Sequence, residues 1–135
     1  MDISNTHHLR AAGMALLLWG GWAWLANQAA GSAGALRAGL LQGVSSAIIT
    51  LLMAAVVTRL FTHIPSRSLA IILPPCLVVS LSTSALYLIH SFGQTPNLWL
   101  TILPPSGLAF AFCLYLTLRL ASQPHSLSDH SDPRP

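Results

Sequence analysis

Residues 38–58 read AGLLQGVSSAIITLLMAAVVT, an uncharged stretch between Arg37 and Arg59. A helix of about 20 apolar residues crosses the roughly 30 Å hydrocarbon core of a bilayer. This stretch has the required length and therefore predicts a membrane-spanning helix. Two stretches of similar length follow it, one between Arg67 and His90 and one between Asn97 and Arg119.

A fourth, shorter segment precedes them, from Ala11 to about Ala30, rich in Ala, Leu and Trp. A cleaved signal peptide is the alternative for this segment, because Arg10 precedes an apolar run that small residues follow. The tryptophans in the run favour a retained helix. Turn-forming residues at 30–34, 63–66 and 93–97 predict short connections between antiparallel helices.

The composition agrees with a membrane protein. Of the 135 residues, 53% are hydrophobic and only 7% are charged, as six Arg and three Asp. These charges are too few to cover the surface of a soluble catalytic domain. They are also too few to form a basic nucleic-acid-binding surface or an acidic site for a hard metal ion. We therefore expect no nucleic-acid partner, no metal and no cofactor.

The predicted fold is all-α: an integral membrane bundle of four transmembrane helices with short loops. We expect spans at about 11–30, 37–60, 68–90 and 98–120, an N-terminal tail at 1–10 and a disordered tail at 123–135. With four spans, one side of the membrane holds five of the six arginines, all except Arg37. Because short Arg-rich loops stay in the cytoplasm, both termini are predicted to be cytoplasmic, in a bacterial inner membrane.

A short repeat places prolines in the last two spans. Ile72-Leu73-Pro74-Pro75 recurs as Ile102-Leu103-Pro104-Pro105. An interior proline removes a backbone donor, so we predict helix breaks at both pairs. Either neighbouring helices or Ser and Thr side chains satisfy the freed carbonyls, or the breaks line a cavity as in transporters built from inverted repeats.

Polar residues within the spans follow helical spacing. The residues Ser80, Thr83, Ser84 and Tyr87 predict a helix-packing stripe. A shallow polar groove is the alternative use of such a stripe. The two cysteines, Cys76 and Cys113, are expected to be buried, reduced thiols.

A second group of polar residues is expected at the outer end. It comprises Arg37, Gln42, His90, Gln94 and Asn97. A guanidinium at an interface suits a lipid phosphate, so this group is a possible lipid- or substrate-binding site. Alternatively, Arg37 only anchors its helix end.

The spans contain no Asp or Glu, which disfavours ion-coupled transport. The leading hypothesis is a non-enzymatic accessory or structural subunit of a membrane complex, with lipids and other membrane-protein helices, or copies of itself, as partners. A small homo-oligomeric carrier of lipids or other amphiphiles is the alternative. A membrane enzyme would need His90 or Ser84 to be indispensable.

Overall fold

The computed structural model describes residues 3–123, and its regular elements are helices. They are α1 (Ile3–Ala26), a 3-10 turn (Gln28–Ala30), α2 (Gly31–His63), α3 (Arg67–Phe92) and α4 (Leu98–Ser122). The predicted tail at 124–135 and residues 1–2 lie outside the described residues.

Three helical segments are long and apolar enough to cross a membrane: Gln28–His63, Arg67–Phe92 and Leu98–Ser122. This finding fits a membrane location. Helix α1 is not among the three, because its start, ISNTHHLR, is largely polar. Its apolar remainder, from Ala11 to Ala26, is shorter than the roughly 20 residues that a span ordinarily needs.

The first connection lies elsewhere than the sequence predicted. Helix α1 ends at Ala26 and α2 begins at Gly31, so the chain reverses at residues 27–30 instead of 30–34. The reversal needs one residue of positive φ, which Gly31 supplies at +80°. Residues 32–34 are small and continue the helix. Helix α1 also begins at Ile3, well before the predicted span.

Helix α2 is the centre of the bundle. It packs against α1, α3 and α4, and no close backbone contact joins α1 to α3 within the described residues. We call the end with the α1–α2 and α3–α4 connections the upper end, and the end with the α2–α3 connection the lower end. A small apolar core at Met53, Val57 and Cys113 joins α2 to α4.

The contact between α1 and α2 depends on three glycines. A Cβ atom on Gly39 would lie 2.9 Å from the carbonyl oxygen of Gly20, and one on Gly43 would lie 2.8 Å from the carbonyl oxygen of Leu16. The two backbones are therefore too close to admit any side chain at these positions. Small residues allow this approach in tightly packed membrane helices.

We predict that Gly43→Ala destabilises the protein, because the new methyl group meets backbone that must move. Overpacking of this kind costs about 1–3 kcal/mol. The control is Gly13→Ala, whose Cβ would meet nothing within 4 Å. Thermal unfolding in detergent should show a lower Tm for the first variant only, and equal Tm values would contradict the tight crossing.

Candidate functional site

A buried hydrogen-bonded chain joins α2 to α3 near the upper end. Gln42 and His90 are fully buried, with His90 Nε2 lying 2.7 Å from Gln42 Oε1. Gln42 Nε2 donates to Ser46 Oγ at 3.2 Å, and His90 Nδ1 lies 2.8 Å from Thr95 Oγ1. With the amide so oriented, His90 donates from Nε2 and a neutral ring accepts the Thr95 hydroxyl at Nδ1.

This hydrogen-bonded group of side chains is buried, and each of its buried polar atoms has a partner. No buried side-chain nitrogen or oxygen in the described part of the protein lacks a partner. His90 and Ser84 are not brought together: His90 is buried, whereas Ser84 is exposed and donates to the Ser80 carbonyl at 2.8 Å. The arrangement around His90 is that of a structural connection between helices.

A second buried group, centred on Asn27, joins the first reversal to the start of α4. Asn27 Nδ2 donates to the Ala23 carbonyl and to Thr101 Oγ1, both at 2.8 Å, while its Oδ1 accepts from the Asn97 backbone at 2.9 Å. Asn97 Nδ2 in turn donates to the Ala26 carbonyl at 2.7 Å. The side-chain amides of Asn27 and Asn97 thus satisfy the Ala23 and Ala26 carbonyls at the end of α1.

The proline pairs do not interrupt their helices, which corrects the predicted breaks at Pro74, Pro75, Pro104 and Pro105. Helices α3 and α4 continue through them. The physical reason lies in the neighbouring helices, because a carbonyl that a proline frees in each helix accepts a hydrogen bond from outside it.

The first of these carbonyls belongs to Ile71, whose intrahelical donor would be the missing N–H of Pro75. The Thr117 hydroxyl of α4 donates to it at 2.8 Å. The second belongs to Leu100, four residues before Pro104. The Trp22 indole of α1 donates to it at 2.9 Å. Neighbouring helices thus satisfy one freed carbonyl in each helix, as the first of the two sequence-based alternatives expected.

The structure separates the predicted lipid-binding residues. Gln42 and His90 bond to each other in the interior, and Asn97 bonds to the α1–α2 reversal. Gln94 is exposed, with a φ of 51°, and its side chain forms no hydrogen bond to the described residues. Arg37 is also exposed and has no hydrogen bond or ion pair within the part of the chain that the structure describes. The five residues do not form one cluster.

The predicted packing stripe on α3 faces mostly outwards. Only Thr83 is half-buried, and it donates to Ser106 Oγ of α4 at 2.9 Å. Ser80 and Ser84 are exposed, and Tyr87 is 44% exposed with its ring 5.6 Å from that of Trp99. Cys76 is exposed too, contrary to expectation, whereas Cys113 is buried.

Three cavities differ in size and character. A central one of about 40 Å³, with Ser46, Thr50 and Ser106 in its wall, has room for one or two waters. An apolar groove of about 320 Å³ lies along α1 and α2, and a cavity of about 640 Å³ lies at the lower end beside Arg67. At that end, Arg67 Nη2 donates to the Ala121 carbonyl at 2.6 Å, near the end of α4.

Among residues 3–123, no three His, Cys, Asp or Glu side chains are grouped so that they could hold a metal ion. Comparison of the chain with protein-family models, with curated proteins and with solved structures gave no match. The functional argument therefore depends on the chain's own residues.

Several of these structural residues were missed from the sequence. Asn27 and Trp22 are not among the candidate residues that the sequence patterns indicate. The signal for Trp22 was present: a proline inside a helix frees the carbonyl four residues earlier, so a donor at the depth of Leu100 is required. No comparable local pattern marks Asn27, whose partners Asn97 and Thr101 are distant in the chain.

Our second prediction is a double-mutant cycle. Thr117→Val leaves the Ile71 carbonyl without its donor and should cost about 1–3 kcal/mol. Pro75→Ala restores the backbone N–H that can bond this carbonyl within α3. We therefore expect Thr117→Val to cost clearly less in the Pro75→Ala background, measured by unfolding in detergent. Additive effects of the two substitutions would contradict this pairing.

The third prediction concerns Gln42→Leu, which removes the acceptor for His90 Nε2 and leaves a buried donor unpaired. We expect a loss of about 1–3 kcal/mol in the free energy of unfolding. Gln94→Leu is the matched control, since that side chain is exposed and unbonded. If both variants unfold alike, the buried chain contributes nothing to stability.

Proposed function

We propose that this protein is a bacterial inner-membrane protein with four spans and cytoplasmic termini, which acts as a non-enzymatic accessory or structural subunit of a membrane complex. The single observation that carries the subunit assignment is the direction of the polar stripe on α3. Most of the stripe faces away from the bundle, and the buried polar side chains of the described residues do not need it, because they already have hydrogen-bond partners.

The contact of α1 with α2 supports the proposal that α1 is the fourth span. Gly20 in α1 lies against Gly39 and Gly43 of α2, backbone to backbone. A helix in such close contact with a spanning segment shares its depth. The part of α1 from Ala11 to Ala26 measures roughly 24 Å, and the long side chain of Arg10 can reach the interface from there.

The orientation is supported by the arginines. With four spans, only Arg37 lies on the upper side, and the Arg-rich side is expected to be cytoplasmic. Three members of the predicted stripe, Ser80, Ser84 and Tyr87, are exposed, and the exposed residues Cys76 and Ser91 extend the same face at spacings of four residues. Small and hydroxylated residues let a second helix approach closely and form interhelical hydrogen bonds, each worth about 0.6 kcal/mol.

A partner helix explains this stripe better than lipid does. Ser84 already donates to the Ser80 carbonyl, but the hydroxyl groups of Ser80 and Tyr87 form no hydrogen bond to the described residues, and acyl chains offer them none. The opposite face of α3 already packs within the bundle through Pro74, Pro75, Leu86 and His90. The central cavity of about 40 Å³ is far too small to pass an amphiphile. We therefore favour the subunit over the carrier.

The test is photo-cross-linking in native membranes, with the photoreactive amino acid p-benzoylphenylalanine in place of Ser84. We expect an adduct of one discrete mass, containing a different membrane protein. The control places the same probe at Phe112, a 49% exposed residue of α4. No adduct at position 84, or the same adducts at both positions, would refute the stripe as a partner surface. An adduct of twice the chain's mass would favour the homo-oligomeric carrier.

A further inference from the structure

An apolar groove runs along the seam between α1 and α2. Its floor is the glycine contact, with Gly20, Gly39 and Gly43 in the lining, and its sides include Leu17, Leu40 and Val44. The lining is almost wholly apolar, and the volume is about 320 Å³. The glycines explain the groove, since no side chain fills the seam where the backbones meet.

Arg37 is not part of this lining but lies beside it on α2. Leu40 and Val44 follow it at the i+3 and i+7 positions, the spacing of one helix face. Helical rise places Arg37 roughly 5 Å above Leu40 and roughly 11 Å above Val44. The guanidinium is exposed and unpaired within the described residues. A cationic group that is unpaired within the described residues therefore lies beside the upper part of an apolar groove.

We infer that this groove binds an anionic phospholipid, with its phosphate on Arg37 and an acyl chain along the glycine seam. The inference rests on the membrane placement proposed above. A guanidinium grips a phosphate through two parallel hydrogen bonds. The apolar floor matches a hydrocarbon chain, which needs no hydrogen-bonding partner there.

A second copy of this chain is a poorer occupant for reasons of charge. The chain's only acids are Asp2, Asp129 and Asp132. In the proposed topology all three lie on the side of the membrane opposite Arg37. A parallel copy therefore offers Arg37 no carboxylate, whereas a phospholipid headgroup supplies an anion at the required depth.

The experiment uses the full chain in detergent, titrated with phosphatidylglycerol and with phosphatidylcholine and observed by native mass spectrometry. We expect phosphatidylglycerol to be retained more strongly. Arg37→Gln should weaken its retention roughly tenfold, as expected for loss of a charge-assisted pair. Arg59→Gln, an exposed arginine at the lower end, is the charge-matched control.

A second pair of variants tests the acyl-chain half of the site. Gly21 lines the groove and a Cβ there would meet nothing within 4 Å, so Gly21→Leu fills the groove without displacing backbone. Gly13→Leu, equally open but outside the lining, is its control. Gly21→Leu should reduce lipid retention several-fold, and Gly13→Leu should leave it unchanged.

Retention that neither Arg37→Gln nor Gly21→Leu lowers would overturn the lipid site. Release of a co-purifying polypeptide by Gly21→Leu would do so too, by making the groove a protein interface. If Arg37→Gln lowers lipid retention and Gly21→Leu does not, the acyl chain does not lie in the groove and the proposed site is wrong. The lipid site is tested by the mass of lipid on the purified protein, whereas the partner surface is tested by cross-linking at position 84. Failure of the lipid site can therefore be distinguished from failure of the proposed function.

Discussion

A backbone polar group that is taken out of water must find a partner within the protein. This constraint selects most of the side chains that tie these helices together. The prolines of α3 and α4 free carbonyls at Ile71 and Leu100, and donors from neighbouring helices meet them. At the upper end, Asn27 performs the same task where α1 stops and α2 begins. Most of these hydrogen bonds also join two different helices. The side chains that satisfy the freed backbone groups therefore also hold the bundle together.

The glycine contact of α1 and α2 sets the arrangement of the rest. Close approach of the two backbones at Gly20 and Gly39 brings Trp22 within reach of α4 and places Asn27 over the start of that helix. Helix α2 then has its opposite side free for α3, which it meets through Gln42 and His90. Helices α1 and α3 have no close backbone contact within the described residues, although Trp19 of α1 and Ser82 of α3 both line the central cavity.

The sequence predicted four spans, and the last three are long and apolar enough to cross a membrane, because length and hydropathy are local properties. It located the first reversal too late in the chain, since Gly31-Ser32-Ala33 is equally suited to a loop and to a helix start. Helical spacing identified the polar stripe on α3 but not its direction. Spacing defines a face and says nothing about what the face meets. The prolines held the missing information, because a helix face with freed carbonyls must turn towards protein donors.

The pairing of the interior has a consequence for where function resides. Gln42, Asn27, His90 and Thr117 form hydrogen bonds within the bundle, which commits their polar atoms to partners other than a ligand. The polar side chains without such partners among the described residues include Arg37, Ser80 and Ser91, and Arg37 lies on a different helix from the two serines. The α1–α2 seam and the outer face of α3 belong to different helices, so a lipid on the first surface leaves the second free for a partner helix. A hydrogen-bonded interior with two separate outer surfaces suits the proposed role of a subunit that contacts other membrane components.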